Sequence, residues 1–187
     1  GRDVAFLVLL AGPGLPGDSI LALQNRLIAA ASGVPSAEID RAVAVNARLF
    51  AAVKGARDSA DAVERLRVAG AVTVAALPAE QRAAAEGAIR QATRSLVSPW
   101  MRHFLAYDPR PTLRRVRVPV LALNGTRDLQ VPYRENLAAI EGALRAGRNR
   151  DGRTLALPGL NHLFQTALTG APAEYQTIEE TFAPVAL

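Results

Sequence analysis

The sequence contains no cysteine, two histidines (His103 and His162) and a single lysine (Lys54). The absence of cysteine excludes a disulfide framework, a zinc–thiolate site and a thiol nucleophile. Two imidazoles are also too few for a metal site that is built on several histidines. Any chemistry in this chain must therefore be sought among its hydroxyl, carboxyl and imidazole groups.

Since Lys54 is the only lysine, 21 of the 22 cationic residues are arginine, and the formal net charge is +5. A basic chain can bind nucleic acid when its cations are clustered and accompanied by a recognisable motif. Here the arginines are spread along the chain between acidic residues, aromatic residues make up only 5% of it, and no such motif is present. We therefore expect no nucleic-acid partner. No apolar run is long enough to span a membrane either.

The 187 residues, half of them hydrophobic, have the composition of a globular domain of ordinary size. Continuous apolar runs at Val4–Leu10, Val118–Leu123 and Thr154–Leu157 predict strands buried on both faces, as in a parallel sheet. A helix is expected from Pro132 to about Ala146, between the last two strands. The sequence therefore predicts an α/β fold with three parallel strands.

Residues 18–107 have a different character, because they are rich in alanine and contain no further strand candidate. Their glycine, proline and serine positions divide them into five predicted helices. Three aromatic residues of the fifth helix fall on one face and are expected to form part of a core: Trp100, Phe104 and Tyr107. We predict a helical subdomain over residues 18–107, inserted into a core made of residues 1–17 and 108–187.

One local pattern matches a nucleotide-binding motif but fits it poorly. Gly12–Gly17 (GPGLPG) has the GxGxxG spacing of dinucleotide-binding proteins. Such a loop directs backbone N–H groups at a pyrophosphate, and Pro13 and Pro16 have none to direct. No second strand with a terminal acid follows about 20 residues later, as that fold requires. We interpret the segment as a tight turn between a strand and a helix.

A second pattern is similar to the block around the nucleophile in one class of serine lipases. It is Gly17–Ile20 (GDSI). That class also needs an aspartate shortly before its histidine, and the residues before His162 include no acid. Ser and Asp are favoured at helix N-caps, where a side-chain oxygen accepts an N–H of the first turn. We therefore expect Ser19 and Asp18 to cap the first helix.

A third pattern joins an acid to a histidine. Asp128 follows the predicted strand at 118–123, and His162 follows the next strand, at 154–157. Because the carboxyl ends of parallel strands meet at one edge of a sheet, we expect these side chains to lie close together. A carboxylate there can accept the imidazole Nδ1–H, which leaves the other nitrogen to act as a general base. The alternatives are a turn acid that caps the following helix and a loop histidine satisfied by the backbone.

These segments resemble the last two catalytic loops of the α/β-hydrolase fold. Residues 110–128 (RPTLRRVRVPVLALNGTRD) are similar to the stretch that leads to that family's acid, and residues 157–165 (LPGLNHLFQ) to its histidine turn. Residues 4–14 (VAFLVLLAGPG) resemble the strand after the nucleophile helix, and residues 18–107 resemble the cap, or lid, inserted after it. The similarity is greatest to the bacterial carboxylesterase and acyl-peptidase-like branch. It implies the C-terminal part of this fold, with three parallel strands, flanking helices and an inserted helical cap.

The resemblance implies a serine hydrolase that cleaves carboxylic esters, with amides as a second substrate class, and that needs no cofactor or metal. Asp128 and His162 would be the acid and base of a Ser-His-Asp triad. None of the six serines has the G-x-S-x-G context of that family's nucleophile: Ser19, Ser32, Ser36, Ser59, Ser95 and Ser98. We therefore expect the nucleophile in an N-terminal portion that precedes this chain. Alone, the chain would be nearly inactive.

Other interpretations stay open at this point. A non-catalytic fragment could dimerise, or bind its N-terminal half, through an open sheet edge. A complete enzyme with the same triad could instead be a cofactor-free haloperoxidase or a peptidase. His103 would pack within the lid or contact the substrate, and one of its aromatic neighbours could line the acyl pocket. The sequence leaves the compartment and the acyl-chain preference open.

Overall fold

The computed structural model describes residues 3–187, so that Gly1 and Arg2 of the predicted core segment lie outside the described residues. Within residues 3–187, the strands are β1 (Leu7–Leu10), β2 (Val120–Gly125) and β3 (Gly152–Leu157). The helices are α1 (Gly17–Ala31), α2 (Ser36–Lys54), α3 (Ser59–Ala75), α4 (Ala79–Leu96), α5 (Pro99–Ala106), α6 (Arg110–Leu113) and α7 (Tyr133–Ala146). Two short 3₁₀ helices follow, at Pro172–Thr177 and Pro184–Ala186. No helix in the described range is both long and apolar enough to cross a bilayer.

The three strands form one parallel sheet in the order β1-β2-β3. Helix α7 connects β2 to β3 and packs on one face of the sheet, because its Leu137, Ile140 and Leu144 form the predicted inner stripe. These side chains meet Val120 and Ala122, which point from β2 to the same face. The predicted α/β class, with three parallel strands, is confirmed.

The other face of the sheet differs from the prediction that the strands are buried on both sides. Its apolar side chains are between 37% and 64% exposed along most of its length: Phe6, Val8, Leu10, Leu121 and Leu155. Only at the carboxyl ends of the strands do Leu160, Phe164 and Ala183 cover it. The prediction of two buried faces was wrong, because α7 packs on one face while these side chains of the other face stay exposed.

The chain forms two compact units. One contains residues 3–36 and 108–187, with the sheet, α1, α6 and α7. The other is Ala37–Tyr107, a purely helical unit. Helix α1 was predicted to be part of the inserted subdomain, whereas its contacts group it with the sheet. That the helical unit acts as a lid stays a prediction.

Two predictions about the helices were wrong. Pro16 is the N-cap residue of α1, so Ser19 and Asp18 lie not at the N-cap but inside the first turn, where the Asp18 carboxylate accepts the Ser19 N–H. In α5, the aromatic residues do not form a core, because Trp100 is 66% exposed and stacks on Phe104 with 5.3 Å between ring centroids. The only buried residue of α5 is Leu105, which the aromatic pattern had obscured.

Candidate active site

Asp128 lies in the turn between β2 and α7, and its side chain is fully buried. The turn closes through a hydrogen bond from the Asp128 N–H to the Gly125 carbonyl. One carboxylate oxygen, Oδ1, accepts the backbone N–H groups of Gln130 and Val131, each at 2.8 Å. Aspartate is favoured in such turns because its short side chain reaches the backbone two or three residues ahead. The sequence therefore folds locally to hold this carboxylate in one orientation.

The second oxygen of Asp128, Oδ2, faces two side chains. Asn124 Nδ2 donates to it at 3.1 Å, and His162 Nδ1 lies 2.9 Å from it. With Nδ1 as a donor, the carboxylate receives four hydrogen bonds, two on each oxygen. An ionised carboxylate offers only acceptor positions, about four in all. The four donors around Asp128 therefore fill the acceptor positions of a carboxylate.

His162 lies in the turn after β3, which Asn161 holds in place. Asn161 is fully buried, and its Oδ1 accepts the N–H groups of Leu163 and Gln165 at 2.9 and 3.0 Å. Its Nδ2 donates to Gln165 Oε1 at 3.0 Å. Because both ends of the Asn161 side chain are bonded, the backbone on either side of His162 is fixed. The imidazole itself is 28% exposed, and no protein group within residues 3–187 hydrogen-bonds its Nε2.

The two turns are bonded to each other as well as to their own strands. The Thr126 N–H donates to the Leu157 carbonyl at 2.9 Å, and the Arg127 N–H donates to the Leu160 carbonyl at 2.8 Å. In return, the Gly159 N–H donates to Thr126 Oγ1 at 2.9 Å. The distance between the carboxylate and the imidazole is therefore set mainly by backbone contacts rather than by flexible side chains.

A third loop, Gly12–Gly17, follows β1 at the same edge of the sheet. Asn136 of α7 is fully buried, and its Oδ1 accepts the Gly14 N–H at 2.8 Å. A Cβ on Gly14 would lie 2.3 Å from the Asn136 carbonyl oxygen, so only glycine fits there. The loop that superficially matched a nucleotide motif is thus a tight connection fixed to α7.

The chain after His162 folds back over the turn. Tyr175 contacts it through its hydroxyl, which accepts the His162 N–H at 3.3 Å and a Gln130 side-chain N–H at 3.4 Å. Next to it, Glu174 accepts hydrogen bonds from the Thr169 hydroxyl and from the backbone of residues 168–170. These bonds, led by that from the Thr169 hydroxyl, lower the pKa of Glu174 to about 2. Tyr175 therefore bonds to both the acid turn and the histidine turn. The segment that contains it is held in place by the hydrogen bonds of Glu174.

The structure brings together both residues that the sequence analysis selected, Asp128 and His162. Among the hydrogen bonds of residues 3–187, none joins a serine hydroxyl to His162, and five serine hydroxyls donate to oxygens elsewhere, on Asp18, Ile28, Val97, Ala92 and Ser95. Within residues 3–187, no group of three or more His, Cys, Asp or Glu side chains could hold a metal ion.

Three residues that position the pair were not predicted from the sequence: Asn124, Asn161 and Tyr175. A polar residue at the end of an apolar strand, as at Asn124, is a usable signal because buried polar groups need partners. Asn161, directly beside a candidate histidine, is another. Tyr175 offers no such signal, since its contacts to Gln130 and His162 depend on the folded path of the chain.

Chemically, the pair can act as an oriented base. A hydrogen bond from Nδ1 to Asp128 places the proton of a neutral imidazole on that nitrogen and leaves a lone pair on Nε2. Protonation at Nε2 would produce an imidazolium next to a buried carboxylate, which stabilises it. A group with an acidic hydrogen within reach of Nε2 would complete a proton-transfer site.

The sequence matches no protein-family model and no curated protein. Among solved structures, it is similar to the crystal structure of an esterase, RhEst1 from Rhodococcus sp. ECU1013, at 21% sequence identity and a TM-score of 0.32. The match covers 93% of this chain and 55% of that esterase, so the chain spans about half the length of the protein it matches. At this level of similarity, the likeness carries no functional conclusion, which rests on the geometry of Asp128 and His162.

Proposed function

We propose that this chain supplies the acid and the base of a Ser-His-Asp triad in an α/β-hydrolase that cleaves carboxylic esters and, as a second class, amides. The observation that carries the proposal is the 2.9 Å contact between His162 Nδ1 and Asp128 Oδ2. The two residues lie on turns that follow adjacent parallel strands. A buried carboxylate on one imidazole nitrogen, with the other nitrogen open, is the arrangement that general-base catalysis requires.

In the proposed reaction, a serine hydroxyl from a segment outside these 187 residues attacks the carbonyl carbon of the ester. His162 Nε2 accepts the serine proton, and then donates it to the leaving alkoxide as the acyl–serine bond is retained. Water attacks the acyl-enzyme with its proton passing to the same nitrogen, and that proton returns to the serine oxygen as the acid leaves. Asp128 holds the ring in orientation and stabilises the imidazolium at each stage.

The proposed partners are therefore a small ester or acyl substrate and an N-terminal hydrolase portion that carries the nucleophile. The donors that stabilise the oxyanion would come from that same portion, because in this fold they lie beside the nucleophile and in an earlier loop. Tyr175 and Asn161 have positioning roles, since they touch the His162 backbone or its neighbours and no reacting atom.

The test determines where the native protein begins and measures its esterase activity. We expect intact-mass analysis and N-terminal sequencing of the native protein to reveal a longer chain with G-x-S-x-G upstream of Gly1. That longer chain should hydrolyse p-nitrophenyl esters and react with a fluorophosphonate, whereas the 187-residue chain should do neither. His162→Ala should abolish turnover in the longer chain, and His103→Ala, the matched control at the other histidine, should retain it.

Three outcomes would overturn the proposal. A native protein that begins at Gly1 would remove the source of the nucleophile. Fluorophosphonate labelling of the 187-residue chain would mean that one of its own serines reacts. Turnover that survives His162→Ala would exclude this residue as the base.

A second candidate function is non-catalytic association, and the exposed sheet face favours it. Within residues 3–187, β1 and β3 each have one unpaired edge, and the face with Val8, Leu121 and Leu155 is apolar and exposed. Exposed apolar faces and unpaired edges recruit partners. The partner would be the N-terminal hydrolase portion or a second copy of the chain.

Sedimentation velocity of the 187-residue chain tests this second candidate. Association through the sheet predicts a dimer that Leu121→Lys dissociates, while Val72→Lys, at an apolar and more exposed position on α3, leaves it intact. A monomer that also fails to bind the upstream portion of the native protein would exclude this function.

A further inference from the structure

The helical unit of residues 37–107 contains a groove that the proposed hydrolase chemistry does not use. It lies between α3 and α4, which are joined by a three-residue connection and pack as a hairpin. Its volume is about 700 Å³, within the range of small-molecule sites. Gly70 lets the helices approach, because a Cβ there would lie 3.0 Å from Ile89 Cγ2. The groove is therefore formed by the close packing of α3 on α4.

The floor of the groove is apolar and elongated. Its α3 side presents Val63, Ala71, Val74 and Ala75, and Ile89 of α4 faces them. From Val63 to Val74 the floor follows eleven residues of one helix, about 16 Å at a rise of 1.5 Å per residue. Thr93 is the uncharged polar residue in the lining, and its hydroxyl already donates to the Ile89 carbonyl at 2.8 Å. An extended alkyl chain matches this shape and chemistry.

The rim of the groove is cationic. Its charged residues are four arginines and one glutamate: Arg67, Arg82, Arg90, Arg94 and Glu86. On α4 they recur at every fourth residue, so they form one stripe along the edge of the groove. Because arginines outnumber the glutamate, the rim is complementary to an anionic group.

The arginines differ in how far their charge is already balanced. Arg67 is paired with Glu64 at 2.6 Å, and Arg90 lies 3.6 Å from Glu86. Arg82 donates to the Leu77 carbonyl at 3.0 Å, whereas none of the ion pairs and hydrogen bonds found in residues 3–187 involves Arg94. In the hairpin, it is level with the Val63 end of the floor, since Gly70 and Ile89 mark the crossing point. An anionic head group at Arg94 would thus leave its chain directed along the floor.

We propose that this groove binds a single-chain fatty carboxylate, with the alkyl chain on the apolar floor and the carboxylate on Arg94. Guanidinium binds carboxylate through two parallel hydrogen bonds. A carboxylate head group should therefore bind more tightly than a neutral alcohol, and the difference in affinity should be larger against a cationic head group. The proposal is independent of the hydrolase chemistry, because its residues all lie in the helical unit and its readout is binding.

The experiment is isothermal titration calorimetry of the 187-residue chain with monomeric dodecanoate. We expect dodecanoate to bind about tenfold or more tightly than dodecanol, as a charge-assisted hydrogen bond predicts. Dodecyltrimethylammonium should bind more weakly than either. Arg94→Gln should reduce the dodecanoate affinity about tenfold, to the level of dodecanol, and should leave the dodecanol affinity unchanged. Arg41→Gln, an exposed arginine of α2 outside the groove, is the matched control and should change neither.

A second pair of variants tests the floor. Ala71→Trp fills the groove and should abolish binding of both dodecanoate and dodecanol, whereas Ala84→Trp, an exposed residue of α4 outside the groove, should bind both as before. Circular dichroism identifies any variant that has lost its helices.

Three results would overturn the proposal. One is equal affinity for dodecanoate and the cationic amphiphile, which would mean that the arginines do not select the head group. Another is dodecanoate binding that survives both Arg94→Gln and Ala71→Trp. The third is binding only to anionic phospholipid vesicles and not to the monomeric carboxylate, which would assign the groove to a membrane surface.

Discussion

Gly125 ends β2 directly against the backbone of Leu160 in the histidine turn. A Cβ at position 125 would lie 2.1 Å from the Leu160 carbonyl oxygen and 2.7 Å from that of Asn161. This close approach allows the backbone of Arg127 to bond to Leu160, so the turn that carries the acid is pressed against the turn that carries the histidine. Because position 125 is glycine, the two turns can approach closely enough for Asp128 and His162 to form a hydrogen bond.

We accordingly expect Gly125→Ala to push the two turns apart. The overlap is with backbone atoms, which cannot rotate away, so the cost should be about 1–3 kcal/mol in the free energy of unfolding. Urea denaturation measures this loss. Gly142→Ala is the matched control: Gly142 lies in α7 with nothing within 4 Å of the position of a new Cβ, and alanine there should be neutral or stabilising by up to about 1 kcal/mol. Equal stability of Gly125→Ala and wild type would contradict the proposed tight contact.

The sequence was sufficient to predict the class of fold and the pairing of Asp128 with His162. Both depend on local patterns: apolar runs mark the strands, and the topology of parallel strands brings their carboxyl ends together. The extent of burial was not predictable in the same way. Leu121 and Leu155 belong to apolar runs that read as fully buried, yet which faces are covered depends on the helices that the chain supplies.

The surroundings of the pair were also beyond the sequence. Tyr175 contacts Gln130, which is 45 residues away, and its hydroxyl reaches the His162 N–H only because the chain folds back. The cap of α1 failed for a different reason. Ser19 and Asp18 have the chemistry of N-cap residues, but the helix begins earlier, at Gly17 after Pro16.

Asn124 provides a test of the carboxylate environment. Its Nδ2 donates to Asp128 Oδ2 at 3.1 Å and to the Val131 carbonyl at 3.0 Å. Asn124→Asp keeps the size of the side chain but replaces the donor by a second carboxylate, and two negative charges at this distance repel. We expect the variant to lose about 2–4 kcal/mol at pH 7, since a buried donor is lost and a buried charge is added.

The pH dependence identifies the cause of that loss. When one of the two carboxyls binds a proton, the repulsion ends and a hydrogen bond between them becomes possible. The deficit of Asn124→Asp relative to wild type should therefore shrink as the pH falls from 7 to 4. Asn124→Leu, which removes the donor without adding charge, should show a smaller change over this range. A deficit in Asn124→Asp that does not vary with pH would contradict the repulsion.

The orientation of His162 can be measured without any catalytic activity. Its Nδ1–H, held 2.9 Å from a buried carboxylate oxygen, should exchange slowly with water and give a proton NMR signal far downfield of the backbone amides. We expect this signal to disappear in Asp128→Asn and in His162→Ala, and to persist in His103→Ala, which removes the exposed imidazole beside Tyr107. Persistence of the signal in His162→Ala would assign it to another group and remove support for the pair.

Glu174 makes the closure of the segment after His162 dependent on pH. The Thr169 hydroxyl and the N–H groups of residues 168–170 donate to its carboxylate and lower its pKa from 4.5 to about 2. Because the pKa is lower in the folded chain, the ionised group stabilises the fold fully above pH 4.5, and this contribution is lost as the pH falls towards 2. The difference in unfolding free energy between wild type and Glu174→Gln should therefore be constant from pH 7 to 5 and should shrink from pH 4.5 downward. Glu179→Gln, which removes an exposed carboxylate nearby, is the control.

Hydrogen exchange locates the same effect within the chain. At pH 6, the amides of Thr169 and Gly170 should exchange faster in Glu174→Gln than in wild type, because they lose their acceptor. The His162 amide should also exchange faster, since the hydroxyl that accepts its N–H belongs to Tyr175, the residue next to Glu174. Unchanged protection at these three amides, together with a pH-independent stability difference, would mean that Glu174 does not hold this segment against the histidine turn.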